Sequence, residues 1–393
     1  MGIISLEGVR EQIEMKKRND ILKSHPYKIW FGSDNKWHTY LPDAEKGRIP
    51  RRRNTQKEIE DLVIQYYQAE EEKPITFDDS YWKWRQSQDS GVSDNTIAKY
   101  NTDYRRFFEN TDFSKKSISN ITCEDIKIHI NKKIRDLKLC KKACKSLCWY
   151  IRSVFTSARI NKNISENPME DITAKNFYGL CIEKERTKEQ ILVDDHEMQE
   201  LQKRFELDHK NNPSYIVTYA VELACLTGMR VGEISALKWD CITKDRIIIN
   251  KSEKYNRLTK EYFIDLTKNK KSREFPLTDE IKQLLDEVKK IEIQQGNICE
   301  WVFADDNGRV HAPVISSCSG NKCLQIGITE KGIHAYRRTI NSKMRQSGVS
   351  AKTAASLLGH TDDVNEKYYT FDLSSFEEKE EIVSKINKST LCG

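Results

Sequence analysis

Seven residues in the second half of the chain read Thr227-Gly228-Met229-Arg230-Val231-Gly232-Glu233. Gly228 permits a tight turn into a helix, and Glu233 can pair with or brace a nearby arginine. An arginine at the start of a helix is usually a surface residue, so this stretch alone says little about function. Its meaning depends on the segments that follow it along the chain.

Two downstream segments carry further cationic side chains. The first, Thr267–Arg273, is a lysine-rich turn between two predicted strands, and such turns are mostly solvated. The second reads His334-Ala335-Tyr336-Arg337, which places a histidine and an arginine three positions apart on one face of a predicted helix. Neither segment identifies a function alone.

The last informative segment reads Leu357-Leu358-Gly359-His360, and Tyr369 follows nine residues later. A glycine at the end of a predicted helix is a C-cap signal, so we expect the helix to end at Gly359 and to expose His360 just beyond it. Each segment has an ordinary structural interpretation. The specificity lies in their combination and in their order.

Together these segments supply what is needed to cut a phosphodiester bond without a metal ion. Arginines can hold charged phosphate oxygens, a lysine can supply a proton, and a tyrosine can attack phosphorus. The Asp/Glu cluster of a two-metal nuclease is not evident, so the sequence predicts no metal and no cofactor. The candidate residues are Arg230, Lys268, His334, Arg337, His360 and Tyr369.

At this point the chain resembles the tyrosine recombinase family, also called phage-type integrases, and most of all the integrases of conjugative transposons. That family carries T-G-x-R-x-G-E, a lysine on a β-hairpin, H-x-x-R, L-G-H and a late tyrosine, in this order. The family's spacing selects Lys268 over Lys270 and Lys271, and Tyr369 over Tyr368. The resemblance covers about residues 190–375.

The resemblance implies a role for each candidate. Arg230 and Arg337, helped by His360, would stabilise the charge that develops on the phosphate oxygens. Tyr369 would form a 3′-phosphotyrosine, and Lys268 would protonate the departing 5′-oxygen. A further candidate, His334, would take or relay the tyrosine proton.

The chain departs from the family pattern on both sides of the H-x-x-R arginine. The family often has leucine before it and histidine after it, whereas this chain has Tyr336 and Arg338. Neither is a catalytic position. We interpret the two as a variation in packing and in phosphate contact.

The charge of the chain is concentrated in two runs. The net charge is only +6 over 393 residues. Residues 23–57 hold nine Lys/Arg against three Asp/Glu, and residues 132–162 hold ten against one. Such runs attract a polyanion, although most lysines merely form a solvated face. The predicted DNA-binding residues are Arg51, Arg52, Arg53, Lys141, Lys142 and Lys145.

Length and pattern predict several domains in a fold that is mainly α with small β-sheets. Residues 1–73 indicate a small sheet packed with helix, formed by a hairpin over 27–40 and a helix over 55–68. Residues 74–170 indicate a helical domain, 171–189 a linker, and 190–393 a mixed α/β domain with a C-terminal tail. The resemblance implies arm-binding, core-binding and catalytic domains in that order.

The cysteines indicate the compartment. There are eleven, so they cannot all pair, and Cys140, Cys144 and Cys148 line one helical face without a complete metal-ligand set. We interpret them as reduced thiols in a reducing cytosol. No run of 18 apolar residues and no signal peptide is evident, so the prediction is a cytoplasmic, nucleoid-associated bacterial protein.

The predicted function is that of a site-specific recombinase that integrates and excises a mobile element. Its expected partners are double-stranded DNA, at core and arm sites, and three further copies of itself in a homotetramer, with an excision accessory factor left open. Three alternatives remain: a chromosome-dimer resolving recombinase, a type IB topoisomerase, and a non-catalytic DNA-binding regulator. The sequence also leaves open whether the last residues pack on their own subunit or on a neighbour.

Overall fold

The computed structural model describes residues 6–43, 46–71, 74–183, 187–267, 270–374 and 376–391. The chain forms two compact units, one of residues 1–91 and 100–182 and the other of residues 92–99 and 183–393. Helices dominate and the sheets are small, which confirms the predicted fold class. The boundaries predicted between three domains stay a prediction. None of the helices in the described ranges has the length and apolarity that crossing a membrane requires.

The α-helices are α1 (Leu6–Ser24), α2 (Gln56–Glu71), α3 (Phe77–Gln86), α4 (Asp94–Phe107), α5 (Asp112–Lys115), α6 (Cys123–Leu137), α7 (Lys141–Ile160), α8 (Lys188–Ile191), α9 (Asp195–Asn211), α10 (Ile216–Thr227), α11 (Val231–Ser235), α12 (Asp279–Gln295), α13 (Ala312–Gln325), α14 (His334–Gln346), α15 (Ala351–Leu358), α16 (Asp362–Tyr369) and α17 (Phe376–Leu391). The strands are β1 (Trp30–Phe31), β2 (Trp37–Asp43), β3 (Gly47–Arg53), β4 (Arg246–Ile249), β5 (Lys251–Asn256), β6 (Glu261–Leu266), β7 (Arg273–Pro276), β8 (Ala304–Asp305) and β9 (Gly308–Arg309).

After α1, the first unit forms an antiparallel sheet in the order β1-β2-β3, which packs on α2. The predicted hairpin and helix are both present. The sequence analysis missed β3, which contains Pro50. A proline is tolerated there because β3 is an edge strand, and arginines on an edge discourage further pairing.

The helices of this unit pack around a core of aromatic side chains. Tyr100, Tyr104 and Phe108 are buried, whereas Trp82 is 36% exposed. Thr122 is the N-cap of α6, since Asp125 N donates to Thr122 Oγ1 at 3.2 Å.

The described cysteines are free thiols. Cys144 and Cys148 are buried on α7, and Cys181 lies against them. A hydrogen bond with Cys148, together with burial, holds the pKa of the Cys144 thiol well above its ordinary value. Over the described residues, no group of three or more His, Cys, Asp or Glu side chains could hold a metal ion.

The second unit is built around α10, which is apolar on nearly every side and lies in the core. Its strands form separate antiparallel pairs, β4 with β7 and β5 with β6. The chain leaves one pair after Ile249 and joins the other at Lys251, so β4 and β5 are separate strands although they are almost continuous in sequence. The sequence analysis also missed α13, whose small and polar residues give weak helical periodicity, and α16, which is only eight residues long.

A buried carboxyl group on α12 makes the stability of this unit depend on pH. Glu292 is 3% exposed, and its Oε2 accepts from Trp239 Nε1 at 3.0 Å. Burial raises the pKa of Glu292 to about 7 from an ordinary value of 4.5. The folded protein therefore holds a proton that the unfolded chain has lost between these two values.

We expect the free energy of unfolding to fall as the pH rises from 4.5 through 7, because the folded state must then give up that proton. Glu292→Gln should flatten this dependence and raise stability at pH 8 by up to ~3 kcal/mol. Urea unfolding at several pH values measures it. The control is Glu287→Gln, which removes an exposed carboxylate from the same helix. If the two variants shift the pH profile equally, burial of Glu292 is not the cause.

Candidate active site

Two glycines shape the segment that opens the site. Gly228 ends α10 with a φ of +62°, and a Cβ there would lie 3.3 Å from the Cα of Arg337. A Cβ on Gly232 would lie 2.6 Å from the carbonyl oxygen of Glu253 on β5. The two glycines therefore let this segment press against α14 on one side and β5 on the other.

Glu233 is the hub of the charged network, with a side chain that is 1% exposed. Its carboxylate accepts from the backbone N and from Nη1 of Arg230, both at 2.8 Å. It also accepts from Nη1 and Nη2 of Arg273, at 2.9 and 2.7 Å. Burial alone would raise the pKa of Glu233, but the bonds and charges of Arg273, with Arg230 and Arg337, bring it to about 2.

The sequence analysis missed Arg273. Besides its two-pronged contact to Glu233, it donates from Nε to the carbonyl oxygen of Leu357 at 2.9 Å. Gly359 lies directly on it, because a Cβ there would be 3.0 Å from Arg273 Nη1. A signal was available: Arg273 is two residues before the buried Phe275 on a strand, and such residues share a face.

Arg337 lies at the centre of the site and is fully buried. Its Nη1 donates to the carbonyl oxygen of Gly228 at 2.8 Å, and its Nη2 donates to the carbonyl oxygen of Leu358. Its Nε and Nη2 reach His360 Nε2 at 3.0 and 2.7 Å. Burial, with repulsion from Arg230, lowers the pKa of Arg337 to about 9, so it remains a cation at neutral pH.

His360 and Tyr369 meet face to face. Their ring centroids are 3.9 Å apart at 27°, and the guanidinium carbon of Arg337 is 5.6 Å from the tyrosine ring. Burial, then the charges of Arg337 and Arg230, lower the pKa of His360 to about 3, so the ring is neutral. Because Nε2 accepts from Arg337, the ring proton is on Nδ1.

The predicted C-cap is confirmed, since Gly359 has a φ of +68°. The expectation that His360 is exposed was wrong, because α16 folds back and covers the ring with Tyr369. The two neighbouring tyrosines differ in how much of each side chain is exposed. Tyr368 is 55% exposed, whereas Tyr369 is partly buried against His360.

His334 begins α14 and is exposed at the edge of the site. Partial removal from water, followed by the charges of Arg337 and Arg338, lowers its pKa. Tyr336, the departure before the arginine, is buried and its hydroxyl lies 3.0 Å from Ser319 Oγ. This agrees with a variation in packing.

Lys268 lies outside the described residues. In the sequence it falls between β6 and β7, which belong to different strand pairs and are joined by a loop. Lys270 and Lys271, further along this loop, are exposed. A cleft of ≈ 600 Å³ lies beside the loop, and its lining includes Arg230, Lys271, Ser272, Arg273 and His360.

The structure divides the predicted DNA-binding arginines between two faces of the N-terminal sheet. Arg52 pairs with His38, while Arg51 pairs with the buried Thr39. Arg53 is on the same side as Arg51, because side chains alternate along a strand. Arg48, which the sequence analysis missed, shares the open face with Arg52 and covers the Tyr40 ring at 4.4 Å.

Three lysines of the first unit were also predicted to bind DNA. Lys141, Lys142 and Lys145 occupy the first turns of α7 and are exposed. They lie about one turn or less apart, so the first turns of α7 carry a basic surface.

The sequence of the second unit matches a known protein family. Residues 193–374 match the model described as the phage integrase family. This part of the chain, which makes up most of the second unit, is a phage integrase domain of the kind that tyrosine recombinase enzymes carry.

Individual relatives agree with this assignment. The chain is 23% identical over 292 residues to the "Tyrosine recombinase XerC-like" of Caldanaerobacter subterraneus subsp. tengcongensis, across 68% of this chain and 71% of that one. Its fold is similar to the Tn1549 transposon integrase solved with a circular intermediate DNA, with a TM-score of 0.64 and 16% identity over 79% of this chain and 99% of that one. It is also similar to a lambda integrase tetramer bound to a Holliday junction, with a TM-score of 0.55 and 16% identity over 88% and 98%.

Arg273→Leu should lower the free energy of unfolding by about 3 kcal/mol or more, because breaking a buried ion pair leaves an unpaired charge. Urea unfolding measures the loss. The matched control is Arg246→Leu on the paired strand β4, which breaks an exposed ion pair with Glu274 and should cost less than ~1 kcal/mol. In Glu233→Gln, the added cost of Arg273→Leu should shrink. Equal costs for Arg273→Leu and Arg246→Leu would contradict a structural role for the Glu233 hub.

Proposed function

We propose that this chain is a site-specific DNA recombinase that integrates and excises a mobile element. It would cut and rejoin DNA through a 3′-phosphotyrosine on Tyr369. The observation that carries the proposal is the convergence of one tyrosine, one neutral histidine and two arginines. The Tyr369 ring lies 3.9 Å from the His360 ring, Arg337 contacts His360, and Arg230 Nη2 donates to the neighbouring Gly359 oxygen at 3.1 Å.

The proposed reaction has a simple balance. The Tyr369 hydroxyl oxygen attacks phosphorus, and the bond from phosphorus to the 5′-oxygen breaks. His334 accepts the phenol proton, and Lys268 gives a proton to the departing oxygen. Attack by the freed 5′-hydroxyl of a partner strand reverses these steps. The bond energy stays in the phosphotyrosine, so the reaction needs no ATP.

Arg230 and Arg337 would bind the phosphate oxygens as charge develops on them. Planar guanidinium groups suit this task because they make two parallel hydrogen bonds and keep their charge. The lowered pKa of His334 supports its proposed role, because a neutral ring is needed to accept a proton. Neutral His360 would contribute a hydrogen bond rather than a charge.

The mobile-element role rests on likeness and on the extra N-terminal part. The fold similarity to a transposon integrase and to lambda integrase supports it. We propose that residues 1–73 bind arm-type DNA sites through the open sheet face, where Arg48 and Arg52 stand beside Trp30, His38 and Tyr40. Lys141, Lys142 and Lys145 would contact the DNA near the cleavage site.

The active form would be a homotetramer on two duplexes, since one tyrosine cuts one strand and full exchange needs four cuts. The helix α17 would join the subunits. It exposes an apolar set of Phe376, Ile382, Val383 and Ile386, between 51% and 78% exposed. Such a face needs a groove, and we propose that a neighbouring subunit supplies it. The protein would act in the bacterial cytoplasm, with or without an accessory factor for excision.

Tyr369→Phe should abolish cleavage and leave DNA affinity nearly unchanged, because it removes only the attacking oxygen. The measurement is covalent protein–DNA complex on a nicked suicide substrate. Tyr368→Phe is the matched control, since Tyr368 is 55% exposed and adjacent helical residues project about 100° apart. If Tyr368→Phe stops cleavage and Tyr369→Phe does not, the nucleophile is the neighbouring residue.

Lys268→Ala should slow cleavage, and a substrate with a 5′-thio leaving group should restore the rate, because a thiolate leaves without a proton. Single-turnover cleavage of the oxygen and sulfur substrates measures this. Lys270→Ala, two residues away on the same loop, is the control and should cleave both substrates at similar rates. Rescue of Lys270→Ala but not of Lys268→Ala would assign the acid to Lys270.

A further inference from the structure

The segment that carries Tyr369 is attached to the rest of the site by a buried polar contact. Ser342 on α14 donates from Oγ to the carbonyl oxygen of Tyr369 at 3.1 Å. The same Oγ accepts from the backbone N of Phe371 at 3.0 Å. One hydroxyl group therefore holds the backbone on both sides of Thr370.

The residue before Ser342 completes the attachment. Asn341 donates from Nδ2 to Thr370 Oγ1 at 3.1 Å, and its Oδ1 accepts from Asn365 Nδ2 at 2.5 Å. Asn341, Ser342 and Asn365 are 0%, 1% and 0% exposed. Two consecutive residues of α14 thus hold three consecutive residues, 369–371. We call this set of contacts the polar clip.

The position of the polar clip on α14 gives it a consequence for geometry. Arg337 is on the same helix, four residues before Asn341, which is about 6 Å along the axis. The backbone of the candidate nucleophile is therefore tied to the rigid element that carries the central arginine. An apolar contact between α14 and α16 would hold the two helices together but would not fix residues 369–371 in one register, because dispersion contacts are not directional.

We infer that Ser342 and Asn341 are positioning residues that set the reach of the Tyr369 hydroxyl into the site. The inference rests on the proposed function, in which Tyr369 is the nucleophile. The polar clip touches no reacting atom, and it acts through the backbone of the tyrosine segment. Misplacing a reacting group by about 1 Å can cost on the order of 100-fold in rate.

The test compares Ser342→Ala with Thr339→Ala in the full-length chain. Thr339 is a matched control: it is 1% exposed on the same helix and makes two buried hydrogen bonds, but to Val193 rather than to the tyrosine segment. We expect Ser342→Ala to slow single-turnover cleavage of a bound nicked substrate about 10- to 100-fold at unchanged DNA affinity. Thr339→Ala should slow it less than about 3-fold, and Ser342→Thr, which keeps the hydroxyl, should recover most of the rate.

A second measurement does not depend on activity. Hydrogen exchange of the Phe371 amide should be about 2- to 10-fold faster in Ser342→Ala than in Thr339→Ala, because its acceptor is lost. Equal cleavage rates and equal exchange in these two variants would overturn the inference. Tyr369→Phe run beside them separates the two ideas. If it still cleaves, the assigned nucleophile is wrong, whereas if it is inactive and Ser342→Ala matches Thr339→Ala, only the polar clip is wrong.

Discussion

The site depends on one buried carboxylate. Glu233 lies between Arg230 and Arg273, with Arg337 nearby, in a place that water hardly reaches. Three guanidinium groups packed together would repel one another strongly in such surroundings. One anion that accepts four hydrogen bonds makes the cluster tolerable and fixes the planes of two arginines. The charge surplus that remains is positive, which is what an enzyme acting on phosphate requires.

Glycines let the segments that carry this charge network pack closely together, although these segments are distant in sequence. Because glycine has no side chain, the Cα of Arg337 can lie close to Gly228, and the guanidinium of Arg273 can lie close to Gly359. Each has a positive φ, so another residue would bring both strain and a clash. The network therefore joins α10, α14, α15 and β7 within a few ångströms. The L-G-H and T-G-x-R-x-G-E motifs are as much packing motifs as chemical ones.

The sequence predicted which residues of the candidate site come together better than it predicted the contacts between them. Four of the predicted residues lie together in the structure: Arg230, Arg337, His360 and Tyr369. They could be selected in advance because the order and spacing of their motifs are specific. Arg273 was missed, since a charged residue beside three lysines looks solvated until the strand's inward face is known. The edge strand β3 was missed because Pro50 and the neighbouring arginines are unfavourable in a central strand. The sequence alone does not show that this segment lies at the edge of a sheet, where they are tolerated. The polar clip was not foreseeable, because Asn341 and Ser342 resemble ordinary surface residues until α16 packs onto them.

The guanidinium group of Arg337 is held by two backbone carbonyls and by His360. Its Nε, Nη1 and Nη2 all have protein acceptors, and the guanidinium is fully buried beneath His360 and Tyr369. A guanidinium group has five N–H bonds, so a phosphate oxygen could use the second N–H of Nη1 or replace one of those acceptors. His360 is the one that can yield, because its bond to Arg337 is made by a side chain, whereas the other acceptors are backbone carbonyls fixed by α10 and α15. In the proposed reaction, a phosphate oxygen that replaced His360 would shift the stacked pair of His360 and Tyr369, while the polar clip would hold the backbone of the tyrosine segment in place.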